Sequence, residues 1–176
     1  MTAPTVTLRR LLPEDAESYR EMRLEGLSNS PDAFGSTLEI EQAEPLERFA
    51  NRLSHSAVFG AFRGARLVGV AGFYVEPGPK HAHKGVLWGM YVRPEARGAG
   101  VGLKLVEAVL DHARQHVEQI QLRVVSDNRA ARRLYEKVGF VEYGLEKRAA
   151  KYKGRYHDDV LMALPLIAAT TEALPA

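Results

Sequence analysis

The chain has 176 residues, 45% of them hydrophobic and 26% charged, which is enough for one domain with a substantial core and too little for two. It contains no cysteine, so disulfides, thiolate metal sites and cysteine nucleophiles are excluded together. No apolar run reaches membrane-spanning length, the N-terminus lacks the blocks of a signal peptide, and basic residues are not clustered with aromatics. The expectation is a soluble, cytoplasmic protein that engages neither membrane nor nucleic acid.

Taken in order, Thr5 to Leu12 alternates apolar and polar residues and reads as a strand ended by Pro13. Pro13-Glu14-Asp15 opens a helix in which Ala16, Tyr19, Met22, Leu24 and Leu27 recur at helical spacing, and Ser28-Asn29-Ser30-Pro31 closes it. Asp32 to Ala43 has no clear period and reads as an ordered loop. Pro45 to Leu53 predicts a second, short helix. Two β-rich runs, Ala57 to Phe62 and Leu67 to Val75, flank Arg63-Gly64-Ala65-Arg66 and predict a hairpin. Glu76 to His83 is a loop, and the apolar run from Val86 to Val92 is a strand stopped by Pro94.

Glycines follow at 98, 100 and 102, and Val101, Leu105, Val106, Val109, Leu110 and Ala113 then mark a helix to about His116. Gln119 to Val125 is a strand, and Ser126-Asp127-Asn128 supplies N-cap chemistry. The next helix carries Ala130, Leu134 and Val138 on one stripe and Ala131 and Tyr135 on the adjoining one. Gly139 ends it, Phe140 opens a strand, and Arg155 to Leu164 supplies the last. The fold class is α/β: one domain over residues 1–176, with a core of about 5–164 and a fraying tail over 165–176. Its mixed central sheet has six to seven strands, flanked by about four helices in the order β-α-α-β-β-β-α-β-α-β-β.

A strand that empties into a glycine-rich turn and a helix N-terminus makes a nest of unpaired N–H groups suited to phosphate. Glycine serves there because a side chain would block the anion and because some positions require positive φ. ATP and NAD loops are poor rivals: no Lys-Ser/Thr follows the last glycine, and the spacing is not G-x-G-x-x-G.

Two motifs, with the element order, resemble the GNAT superfamily of acyl-CoA-dependent N-acetyltransferases. Arg97-Gly98-Ala99-Gly100-Val101-Gly102 matches the family's R/Q-x-x-G-x-G/A pyrophosphate loop. Asn128-x-x-Ala131-x-x-Leu134-Tyr135-Glu136-Lys137-x-Gly139-Phe140 resembles its pantetheine segment. The resemblance spans Leu8 to Leu164. It implies acetyl-CoA as acyl donor and no metal. It further implies that Arg97, Gly98, Ala99, Gly100, Val101 and Gly102 hold the pyrophosphate and that the main chain of Met90, Tyr91 and Val92 pairs with pantetheine. Asn128 and Tyr135, two turns apart, would complete the channel, and Tyr135 would serve as the catalytic group meeting the thiolate.

For the phosphates, Arg97, Arg132, Arg133 and Lys137 could all serve. A base that takes the amine proton stays open among Glu25, Glu39, Glu41, Glu76, His81, His83, Asp158, Asp159 and a water chain. The acceptor is an amine of a small molecule or of a protein. From Glu14 to Glu47 only Arg20 and Arg23 oppose the acids, whereas the balance reverses from Lys80 to Arg155, so the acidic half hints at a cationic acceptor. A homodimer and a catalytically silent acyl-CoA sensor both stay open.

Overall fold

A computed structural model describes residues 5–166. Seven strands form one sheet in the order β1-β2-β3-β4-β5-β7-β6. They are β1 (Val6–Arg10), β2 (Ala57–Arg63), β3 (Arg66–Val75), β4 (Lys84–Val92), β5 (Gln119–Val125), β6 (Val141–Tyr152) and β7 (Arg155–Pro165). Five helices accompany them: α1 (Ala16–Asn29), α2 (Leu38–Ala43), α3 (Leu46–His55), α4 (Val101–Ala113) and α5 (Arg129–Lys137). Neighbouring strands are antiparallel except β4 and β5, which run parallel and are joined through α4.

The two faces of the sheet carry separate apolar cores. Val101, Leu105, Val106, Val109, Leu110 and Ala113 of α4 are all buried, and they pack with Leu87, Ile120, Leu122, Val124 and Tyr135 on what we call the inner face. Burial contributes about 1.5–3 kcal/mol for each large apolar side chain, which fixes α4 on the sheet. On the outer face Tyr19 and Met22 of α1 and Phe49 and Leu53 of α3 pack against Val58, Val70 and Tyr91. The β2–β3 hairpin turns at Gly64 (φ +62°), as its Gly-containing loop predicts.

Three features depart from the sequence reading. Residues 38–43 form α2, where the missing apolar period predicted a loop. This helix buries a charge: Glu41 pairs with Arg23 of α1 through both carboxylate oxygens, and Arg52 of α3 lies 3.4 Å away. Thr37 caps it by accepting the Ile40 N–H (3.4 Å). Second, β7 continues through Pro165, paired with Gln119, and the Leu166 N–H donates to the Glu118 carbonyl. The rest of the expected tail, 167–176, lies outside the described residues. Third, the first strand is shorter than expected, since Leu11 and Leu12 lead into a 3-10 turn at Pro13.

Burial pushes the Glu41 carboxyl up, but the Arg23 hydrogen bonds and the charges of Arg23 and Arg52 outweigh it and hold the group below its ordinary value. A depressed carboxyl stabilises the fold fully above its unfolded value of about 4.3, and this contribution is lost as pH falls through the folded value. Glu41→Gln leaves two guanidinium groups facing a neutral amide and is expected to lower stability at pH 7 by about 3–5 kcal/mol. The two proteins should begin to converge as pH falls below the unfolded value of about 4.3 and should meet only below the depressed folded value, where native Glu41 is neutral too. Urea midpoints that coincide at pH 7 would contradict the pairing.

A gap in the sheet positions the site. β4 pairs with β5 only over Lys84–Val86, opposite Gln119–Gln121, and then leaves it. The cause is a bulge: Trp88 faces Gly72 and Tyr91 faces Val70, so Gly89 and Met90 together oppose Ala71. Gly89 accommodates it at φ +61°. The extra residue resets the alternation, so Leu87, Met90 and Val92 pack on the inner core while Trp88 and Tyr91 pack on the outer one.

Candidate active site

The gap between β4 and β5 opens into a cavity of about 570 Å³. Its walls are β4 from Leu87 to Val92, the glycine loop, the end of β5, the first turns of α5, and Ser30, Ala33 and Phe34 from the α1–α2 connection. Met90, Tyr91, Val92, Arg97, Gly98, Gly100, Val101, Gly102, Asn128 and Tyr135 are thus brought to one cavity, whereas Ala99 stands outside its lining.

The loop has the conformation its glycines require. Gly98 (φ +76°) and Gly100 (φ +73°) are left-handed, and a Cβ on either would meet no atom within 4 Å. Gly102 answers a different need, because a Cβ there would lie 3.0 Å from Met90 Cε and 3.2 Å from Leu134 Cδ2. The first N–H of α4 to reach a carbonyl is that of Lys104, on Gly100 (3.1 Å), so the N–H groups before it are left to an anion. Arg97 is exposed and tied back, its Nε donating to the Val92 carbonyl (2.9 Å). Lys137 also lines the cavity. Arg132 instead donates to the Ser126 carbonyl (3.1 Å) and to Glu142 (3.2 Å), and Arg133 is an exposed residue outside the lining.

On the inner side Tyr135 is 6% exposed, and its hydroxyl lies 3.5 Å from Met90 Sδ. Burial pushes its phenol well above the ordinary value, so it stays protonated across the neutral range. Asn128 caps α5, its Oδ1 accepting the Ala131 N–H (3.2 Å). The side chain of Tyr91 lies on the outer side, where its hydroxyl accepts from Asn29 Nδ2 (2.9 Å) and donates to Glu25 (3.3 Å).

The acids and imidazoles weighed as bases do not line this cavity. Glu76 accepts from Gln121 Nε2 (3.2 Å) beside the paired end of β4, and His81 and His83 are exposed in the β3–β4 turn. Glu25 binds Arg93 Nε (3.0 Å), Glu41 is held by Arg23, and Glu39 is exposed on α2. Asp158 accepts the Arg148 N–H (2.8 Å), which with Lys147 keeps it below its usual value. Asp159 faces Val125 across the β5–β7 pair, and partial burial pushes its carboxyl up. The cavity's charged side chains are all cations: Arg97, Arg123 and Lys137.

Sequence reasoning missed Arg123, Trp88 and Phe34 as lining residues. Arg123 was detectable from alternation, since Ile120, Leu122 and Val124 turn inward and leave it on the outer face. Trp88 depends on the bulge, and nothing in the loop around Phe34 announces a wall. A second cavity of about 340 Å³ shares Ser30, Ala33, Val125 and Asn128 with the first and is closed by His157, whose Nε2 lies 3.3 Å from Asp32 Oδ1. Among the described residues no group of three or more His, Asp or Glu is placed to hold a metal ion, and no helix is long and apolar enough to cross a membrane.

A mixed sheet parted at its one parallel junction, with a phosphate-type glycine loop at one end of the gap and a buried phenol in its wall, is the architecture of an acyl-carrier-dependent transferase. Residues 19–140 match the acetyltransferase (GNAT) family, to which this chain belongs. It is 31% identical over 160 residues to the N-alpha-acetyltransferase RimI of Mycobacterium tuberculosis, covering 88% of this chain and 91% of that protein. It is 32% identical over 143 residues to the mycothiol acetyltransferase of Streptomyces scabiei, covering 78% of this chain but 44% of that longer protein. Among solved structures, Salmonella typhimurium yncA with its cofactor acetyl-CoA superimposes with a TM-score of 0.81 at 20% identity, covering 96% of this chain and 99% of that one, a likeness of fold.

Proposed function

We propose that the chain is a single N-acetyltransferase domain that moves an acetyl group from acetyl-CoA to a primary amine by direct attack on the thioester. The observation that carries this reading is the parting of β4 from β5, which joins the glycine loop to Tyr135 through one cavity. The N–H groups at the start of α4 would take the pyrophosphate, with Arg97 and Lys137 beside it. The edge of β4 left by β5 at Met90, Tyr91 and Val92 would take the pantetheine amides as an added strand, once Arg97 Nε releases the Val92 carbonyl.

From the outer side the amine would approach the gap between Trp88 and Arg123. Its nitrogen forms a bond to the acetyl carbon, the C–S bond breaks, the nitrogen loses one proton and the departing thiolate gains one. For a lysine-like amine of pKa about 10.4, presenting the neutral form at pH 7 costs about 4–5 kcal/mol. With no carboxylate or imidazole in the wall, that proton leaves through water at the outer mouth. No cysteine exists to form a covalent intermediate.

Incubation with acetyl-CoA and a panel of amines tests the reading. One amine class should gain the mass of a single acetyl group, with release of an equal amount of CoA thiol. Binding of acetyl-CoA with no acetylation of any amine would make the protein an acyl-CoA sensor instead.

A further inference from the structure

The charges at the outer mouth specify more about the acceptor than the amine alone. Arg97 and Lys137 belong to the glycine loop and α5, so Arg123 is the one charged residue that the parted strands β4 and β5 contribute to the lining. Its Nη1 meets Glu146 Oε2 at 2.8 Å, and the side chain is 61% exposed. That contact occupies one edge of a guanidinium with five donors, and among the described residues no other acid pairs with it. The free edge suits a second carboxylate, taken as a two-bonded fork.

Several acids of the N-terminal half are engaged within the protein. Glu41 is held by Arg23 and Arg52, Glu21 and Glu25 by Arg93, and Asp32 by His157. The β6–β7 hairpin carries Lys147, Arg148, Lys151, Lys153 and Arg155 within nine positions around its turn, Lys147 being paired with Asp158, and Arg155 lines the second cavity together with Asp32 and Asp127. An acceptor bearing only positive charge would find no carboxylate in the lining of the main cavity.

We propose that the acceptor is an amine with a carboxylate beside it, an α-amino acid, and that Arg123 grips this carboxylate while the amine faces the thioester. The proposal rests on the acetyl-transfer reading above. Its products are the N-acetyl amino acid and CoA thiol, with the amine proton passing to water and the thiolate taking a proton from the site. Trp88 and Phe34, which line the same cavity, would give the amino-acid side chain an apolar surface.

The test compares kcat/KM, at saturating acetyl-CoA, for free L-amino acids, their primary amides, the corresponding decarboxylated amines and a peptide N-terminus. A charge-assisted pair predicts roughly 10- to 100-fold preference for the free acid over its amide. Arg123→Gln should collapse this ratio toward one, mainly by raising KM for the acid, and Arg123→Lys, which keeps the charge without the fork, should give an intermediate ratio. Calorimetric titration with acetyl-CoA shows whether each variant is folded. Equal rates for acids, amides, amines and peptides, or an unchanged ratio in folded Arg123→Gln, would overturn the amino-acid acceptor and leave acetyl transfer standing. Bound acetyl-CoA with no transfer to any of the four would overturn the amino-acid acceptor, and acetyl transfer falls with it only if the broader amine panel also stays unacetylated.

Discussion

Tyr135→Phe is expected to lower kcat by about 100-fold while acetyl-CoA binds almost as before. The substitution removes one hydroxyl from a buried site and keeps the ring that packs edge-on to Phe140 at 5.8 Å. That hydroxyl has only Met90 Sδ, a weak acceptor, within reach, so little stability is lost with it. On the proposed mechanism, what disappears is the donor that would face the departing sulfur. Full proton transfer from an ordinary phenol to a thiolate of pKa about 8.5 is already uphill by about 2 kcal/mol, and burial of Tyr135 makes it steeper. Its contribution is therefore a hydrogen bond that strengthens as charge develops, realised in the transition state. As a hydrogen-bond donor the phenol would act in its protonated form, so its raised pKa predicts no loss of kcat from ionisation up to about pH 10. Unchanged turnover in the Phe variant would reduce Tyr135 to a core residue.

Gly100→Val should weaken acetyl-CoA binding by about 100-fold or more. Two effects combine. Gly100 sits at φ +73°, a left-handed conformation that costs an L-residue about 1–2 kcal/mol, with a β-branched one at the worse end. The new side chain would also point into space that is open now, where an anion approaches the N–H groups. Charge-assisted hydrogen bonds contribute about 1.5–3 kcal/mol each, so displacing the pyrophosphate from even one of them moves affinity by an order of magnitude or more. Calorimetric titration reads the change directly, with circular dichroism showing that α4 persists. A valine variant with wild-type affinity would place the pyrophosphate elsewhere.

The helices α1, α3, α4 and α5 and all seven strands are legible in the sequence because each carries its own apolar period or turn residues. Leu105, Val109 and Ala113 announce α4 without reference to any partner. The glycine loop is equally local, since positive φ at Gly98 and Gly100 is a property of residue type. Helix α2 is not legible, because what holds it is a salt bridge to Arg23, eighteen positions from Glu41. The bulge at Gly89 is also hidden: it is defined by the register of β3 and decides which face Trp88 and Tyr91 occupy. The hint of a cationic acceptor drew on charges summed along the chain, and it weakens once Glu41, Glu25 and Asp32 are seen in ion pairs.

The resemblance and the geometry meet at the free edge of β4, and this is where the account is most exposed. A crystal structure of the protein with CoA tests it most directly. Diphosphate is expected on the N–H groups between Gly98 and Leu103, pantetheine amides paired with the main chain of Met90 to Val92, and sulfur within hydrogen-bond distance of the Tyr135 hydroxyl. CoA bound outside the gap between β4 and β5, or with its sulfur turned away from Tyr135, would contradict it.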